Sequence, residues 1–84
     1  MIPERTIASL DRYVNHKILP GGFLTAVLSN DLFQAVGRAD RENLAALPEI
    51  VQYIYNELPT GAWGSEEAVY KFVEEKFYEG LTNR

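Results

Sequence analysis

Residues 40–59 read DRENLAALPEIVQYIYNELP, and this stretch decides the fold. Asp40 is a strong helix N-cap, and beyond it Leu44, Leu47, Val51, Ile54 and Leu58 recur by threes and fours. That spacing returns apolar side chains to one face of a 3.6-residue turn. It predicts an amphipathic helix over about 40–58, the central helix of the chain. Pro48 falls inside it. A proline in a regular helix removes one backbone bond and crowds the preceding turn, at a cost of about 3 kcal/mol. Because the apolar phase continues across Pro48, the reading is a kink near Leu44–Pro48 and not two helices. Pro59-Thr60-Gly61 ends the segment.

Working outward, Ser65 caps a last helix of about 66–81, with Glu66 and Glu67 at the favourable end of its dipole. Val69, Phe72, Val73, Phe77 and Leu81 form its expected buried face, with Tyr70 beside them. On the other side, Pro3 to His16 reads as a first helix whose stripe is Ile7, Leu10, Val14 and then Ile18. Pro20-Gly21-Gly22 stops it. Two short helices follow, one over Phe23–Leu28 and one through Leu32, Phe33 and Val36 to about Arg38. Asn30 is the expected cap of the second, with Asp31 in its first turn, while Gly37 weakens its end. No segment alternates with a period of two. The expected fold is all-α, a compact single domain over 1–84 with about five helices.

At 84 residues, 46% hydrophobic and 24% charged, the composition is that of a globular domain and excludes disorder and low complexity. No cysteine is present, which excludes disulfides, thiolate zinc sites and a cysteine nucleophile. No run approaches the ~18–20 apolar residues of a membrane span, and the N-terminus lacks a basic–apolar–small signal pattern. A cytoplasmic protein with no membrane partner is expected. The net charge of −4 is uneven: residues 1–41 balance at +1 and residues 42–84 at −5. General nucleic-acid binding depends on clustered Lys and Arg, so an acidic chain makes nucleic acid an unlikely partner.

Catalysis has little to work with. His16 is the single histidine, and no phosphate-binding loop, zinc-protease motif or calcium loop occurs. Glu66–Glu67 and Glu74–Glu75 point in adjacent directions on a helix and read as solvated. The expectation is a non-enzyme with no cofactor and no metal. Three polar or aromatic features are candidates for binding. Arg5, Ser9, Arg12 and His16 line one helix face and read first as a solvated one. Arg38 and Arg41, with Asn43, surround a helix start where free N–H groups favour anions; the bland alternative pairs the arginines with Asp31, Glu42 or the Asp40 cap. Tyr55, Asn56 and Trp63 could stack on and hydrogen-bond a ligand, although Trp63 serves equally as a lid on the core. Ala46, Ile50 and Tyr53 form an apolar second side of the central helix, read as a protein–protein contact.

A pattern runs through these residues. Tyr13-Val14 leads to Gly21-Gly22-Phe23-Leu24-x-Ala26-Val27-Leu28-x-Asn30-Asp31-Leu32. Arg38-Ala39-Asp40-x-x-Asn43, Tyr55-Asn56-Glu57-x-Pro59 and Trp63-Gly64-Ser65 complete it. Over nearly the whole chain it resembles a group of small phage and prophage proteins, from which Pro48 departs. The resemblance implies action by binding, including inhibition of host defence, either as an oligomeric sponge for nucleotide signals or by covering a protein surface. It directs attention to Asn30, Asp31, Arg38, Asp40, Asn43, Asn56 and Glu57. The leading expectation is a homo-oligomer that captures a small anionic, nucleotide-like ligand between subunits. Arg38 and Arg41 would hold phosphate, and Asn43, Tyr55, Asn56 and Trp63 would complete the site. The rival is an inhibitor or adaptor that masks a host or phage protein.

Overall fold

Leu10 and Tyr13 from the first helix, Leu24 and Leu28 from the second, Ala46, Ile50 and Ile54 from the middle of the chain, and Val69 and Phe72 from the last helix meet in one core. The computed structural model describes the backbone of residues 1–82 and the side chains of residues 1–75. The order is α1 (Glu4–His16), α2 (Gly22–Leu28), α3 (Leu32–Arg38), α4 (Arg41–Ala45), α5 (Leu47–Glu57), a 3₁₀ turn (Thr60–Ala62) and α6 (Glu66–Thr82). No strand occurs among the described residues, so the chain is an all-α single domain, with six helices where about five were expected.

The deepest line of α1 is Thr6, Leu10 and Tyr13, spaced by four and three. Ile7 and Val14 are its half-buried flanks. The Tyr13 ring lies 5.0 Å from that of Phe72, and its hydroxyl donates to the Ala62 carbonyl at 2.7 Å. Ile18 was expected to extend the stripe and is half exposed instead. The cause is Lys17, which takes the left-handed region (φ 56°) and turns the chain away, its N–H closing on the Tyr13 carbonyl at 3.0 Å.

Asn30 also adopts positive φ (61°). Its N–H bonds the Val27 carbonyl at 3.1 Å and the following N–H of Asp31 bonds that of Ala26 at 2.9 Å, the paired closure of a helix C-terminus. Asn30 therefore ends α2 and is not the cap of α3. That role belongs to Asp31, whose carboxylate accepts from the Gln34 N–H at 3.3 Å. Asparagine tolerates the left-handed region better than other residues with a side chain, which is why it serves at this corner.

The expected central helix is divided. Pro48 has no N–H to offer the Leu44 carbonyl, and its ring needs the space beside it. The break falls two residues earlier, at Ala46 (φ −94°, ψ 3°), which places Pro48 in the first turn of α5, where a missing N–H costs nothing. The division also changes which face is inside. Ala46, Ile50, Ile54 and Leu58 are buried by steps of four, whereas Leu44 and Val51 are about half exposed. Ala46 and Ile50, at 2% and 0% exposure, therefore belong to the core of their own chain and cannot form an outer contact face; Tyr53 packs against the same core.

Two capping residues behave as expected. Asp40 accepts from the Asn43 N–H at 2.8 Å, and Ser65 accepts from the Ala68 N–H at 3.0 Å. Val69 and Phe72 are the buried face of α6. Phe77 and Leu81 lie outside the residues whose side chains are described. Among the described residues no helix is long and apolar enough to cross a membrane.

Candidate functional site

An apolar opening lies between α3 and α5. The α2–α3 corner at Asn30 lays α3 across the core so that Ala35 faces inward and Leu32, Phe33 and Val36 face out. The turn after α5 brings Trp63 up beneath the gap, held by the Gly64 N–H, which donates to the Leu28 carbonyl at 2.8 Å. Gly64 has φ 117°, a conformation that favours glycine. The result is a groove of about 220 Å³ floored by Val27, Ala35, Ile54 and Trp63, with Leu32, Leu47, Val51 and Tyr55 at its mouth and the polar Asn30 and Asp31 at one end. Tyr55 and Trp63 meet at 5.7 Å between ring centres, tilted by 45°. Outside the mouth, Phe33 is 87% exposed and Val36 and Leu44 are about half exposed.

Such a surface is costly to leave in water. Apolar area removed from water is worth about 25 cal/mol per Å², and contiguous exposed patches of this kind on small proteins mark docking sites. The groove is also smaller than the ~300–1,000 Å³ of ordinary small-molecule sites, and it suits one or two apolar side chains.

The six residues expected to bind an anion do not converge within one chain. Tyr55 and Trp63 line the apolar groove. Arg38 lines a separate depression with Thr25, Ser29, Gln34 and Tyr70, which Asp31 and Glu66 also border. Its guanidinium packs over Gly22, where an added Cβ would come within 2.8 Å of one terminal nitrogen, and its Nε donates to the Gln34 carboxamide at 3.1 Å. Asn56 opens onto a third depression with Ile2, Gln52 and Tyr53. Asn43 borders a small depression with Arg38, Gly22 and Asp40, and its carboxamide oxygen accepts from the Thr6 hydroxyl at 2.7 Å, which gives it a structural use. Arg41 is exposed at the start of α4.

The charge around the Asp40 cap is met by a residue of α1. Arg5 reaches the Asp40 carboxylate at 2.6 Å and that of Glu42 at 3.1 Å. The Asn43 N–H and the Arg5 guanidinium hold the Asp40 carboxyl below the usual carboxylate range, and the two carboxylates raise Arg5 in return. This pairing removes Arg5 from the proposed Arg5–Ser9–Arg12–His16 stripe; Arg12 and His16 remain exposed. No group of three or more His, Cys, Asp or Glu is placed to hold a metal among the described residues.

Sequence reasoning missed the surface formed by Leu32, Phe33, Val36 and Val51: Val51 sits at helical spacing with the expected buried stripe of the central helix, and α3 is given no outward apolar face. The available signal was excess: α3 has three large apolar side chains and only Ala35 small enough to lie flat on α2. No protein-family model, curated protein or solved structure matches this chain.

Proposed function

We propose that this is a non-enzymatic binding protein of the phage accessory type its sequence resembles, acting by protein–protein association through the α3–α5 face. One observation carries the reading: an apolar groove over Trp63 with Leu32, Val51 and Tyr55 exposed at its mouth and Phe33 and Val36 exposed beside it. A groove of this shape accepts a large apolar side chain presented by a helix, the way amphipathic helices anchor in grooves generally. The anion-capture reading draws less support. Arg38 and Asn43 share a depression that Asp40 also borders; Asp31 and Glu66 border the other depression that Arg38 lines, and Tyr55, Trp63 and Asn56 lie elsewhere.

Affinity purification from bacterial cells, with native mass spectrometry of the eluate, separates the two. Association through the face predicts protein co-purification that survives Arg38→Ala with Arg41→Ala and is lost in Val51→Glu. A reproducible small-mass adduct that disappears with the arginine pair and persists in Val51→Glu would reject the proposal in favour of anion capture.

A further inference from the structure

We infer that the surface docked against this face is the same face of a second copy, so that the chain forms a two-fold dimer in which Phe33 of each copy enters the groove of the other. The inference rests on the reading of α3–α5 as a docking face. A two-fold interface requires one patch to contain both a projection and a matching recess, related across an axis. The α3 helix meets that requirement. At 100° per residue, Leu32 and Val36 lie 40° apart and form a central ridge. Phe33, the most exposed large side chain after Met1, projects on one side of that ridge. On the other side, past Leu32, the groove opens over Trp63 between Ala35 and Val51. Turning a second copy about an axis through the Leu32–Val36 ridge sets each Phe33 over the opposite groove.

The area fits a dimer. Aromatic side chains present about 150–250 Å² each and aliphatic ones less, so the exposed parts of Leu32, Phe33, Val36, Leu44, Val51 and Tyr55 come to roughly 600 Å² per copy. Two copies then cover about 1,200 Å², where specific stable interfaces begin. The groove is sized for a side chain, as a Phe33 knob needs.

Gly37 agrees with this arrangement. It lies on the outward side of α3 beside Phe33, and a Cβ there would meet nothing within 4 Å in its own chain. Unlike Gly22, which Arg38 covers, or Gly64, which has positive φ, it is not required by close packing or by backbone conformation within its own chain. Glycine within a helix costs about 0.5–1 kcal/mol relative to alanine. At an interface it permits close approach of the neighbouring backbone.

Sedimentation equilibrium of the purified chain over a range of concentrations tests the inference without any other protein. The expected result is a reversible monomer–dimer equilibrium about the 9.5 kDa monomer. Phe33→Glu, which alters no core contact, should weaken dimerisation at least a hundredfold with an unchanged circular dichroism spectrum, and Gly37→Leu should weaken it as well. A wild-type chain that stays monomeric at high concentration overturns self-docking and leaves the protein-association reading to its own purification test. A dimer indifferent to Phe33→Glu and Gly37→Leu overturns it too, because the contact then lies elsewhere.

Discussion

The Tyr13 hydroxyl and the Ala62 carbonyl, 49 residues apart in sequence, share a buried 2.7 Å hydrogen bond that ties α1 to the turn carrying Trp63. The turn is the floor of the α3–α5 groove, so the groove is anchored to the far side of the core through one phenol. Removing the donor leaves the Ala62 carbonyl without its partner in a residue that is fully buried. Tyr13→Phe should therefore cost about 1–3 kcal/mol in chemical denaturation while preserving the helical spectrum. A variant as stable as the parent would show that the bond contributes nothing net.

The same phenol predicts an alkaline limit to stability. Burial first, and then the charge of Glu75, push Tyr13 from 10 up to about 12; burial also raises Tyr53. Between those values the unfolded chain releases a proton that the folded chain retains. Stability is thus complete below about pH 10 and falls as pH rises toward 12, by ~3 kcal/mol for Tyr13 at about 1.4 kcal/mol per unit. Denaturation midpoints measured between about pH 9 and about pH 11.5 should drop for the parent, and less for Tyr13→Phe. On the acid side the sign reverses. Asp40 is held low, so its contribution is present above the usual carboxylate range and is lost as pH falls through its lowered value.

Buried side chains Thr6 and Asn43 give a second long-range bond, between α1 and the first turn of α4. Thr6→Val keeps the shape and removes the hydroxyl, leaving the Asn43 carboxamide oxygen to seek another donor. The expected loss is about 1–3 kcal/mol, and Thr6→Ser, which keeps the hydroxyl, should recover part of it. A Thr6→Val variant as stable as the parent would show that the bond contributes nothing net.

Much of the architecture was legible from residues with one physical use. Asp40 and Ser65 cap helices because a short side-chain oxygen before an apolar run has few other roles, and Pro20-Gly21-Gly22 can hardly continue a helix. The interior of residues 44–58 was not legible, because apolar residues occur on two sides of it. Leu44–Leu47–Val51 and Ala46–Ile50 both satisfy helical spacing, and only the interruption at Ala46 decides between them. Tyr13 was hidden for another reason: its burial depends on an acceptor at Ala62 that no local pattern announces. Nearness in sequence brings together only part of the expected anion site: Arg38 and Asn43 border one depression beside Gly22, while Tyr55 and Trp63 line the apolar groove and Asn56 another depression.

Pro48 provides a direct check on the division of the central segment. Were it inside a continuous helix, Pro48→Ala would stabilise the protein by about 3 kcal/mol. In the first turn of α5 the proline is already suited to its place, and its loss frees the unfolded chain. Pro48→Ala should therefore change stability by less than about 1 kcal/mol, in either direction. A large gain would mean that α4 and α5 are a strained single helix.

Lys17 combines an unfavourable backbone with favourable side-chain contacts, and the two are separable. Its left-handed φ of 56° costs about 1–2 kcal/mol for a residue with a Cβ. Against this, its ammonium lies 3.2 Å from the centre of the Phe72 ring and 3.2 Å from the Glu75 carboxylate. Lys17 is largely covered, so the ring contact is worth more than the ~0.5–1 kcal/mol of an exposed one. Lys17→Met keeps the backbone strain and an apolar stem but removes the charge, and should destabilise by about 1–2 kcal/mol. Lys17→Gly relieves the strain but loses the stem packing along with the charge, so its stability relative to Lys17→Met reads the backbone strain against the packing of the stem. In a Phe72→Leu background the penalty for Lys17→Met should shrink, since the ring that attracts the charge is gone. If the penalty is the same in both backgrounds, the ammonium is held by Glu75 alone and the contact with Phe72 is incidental.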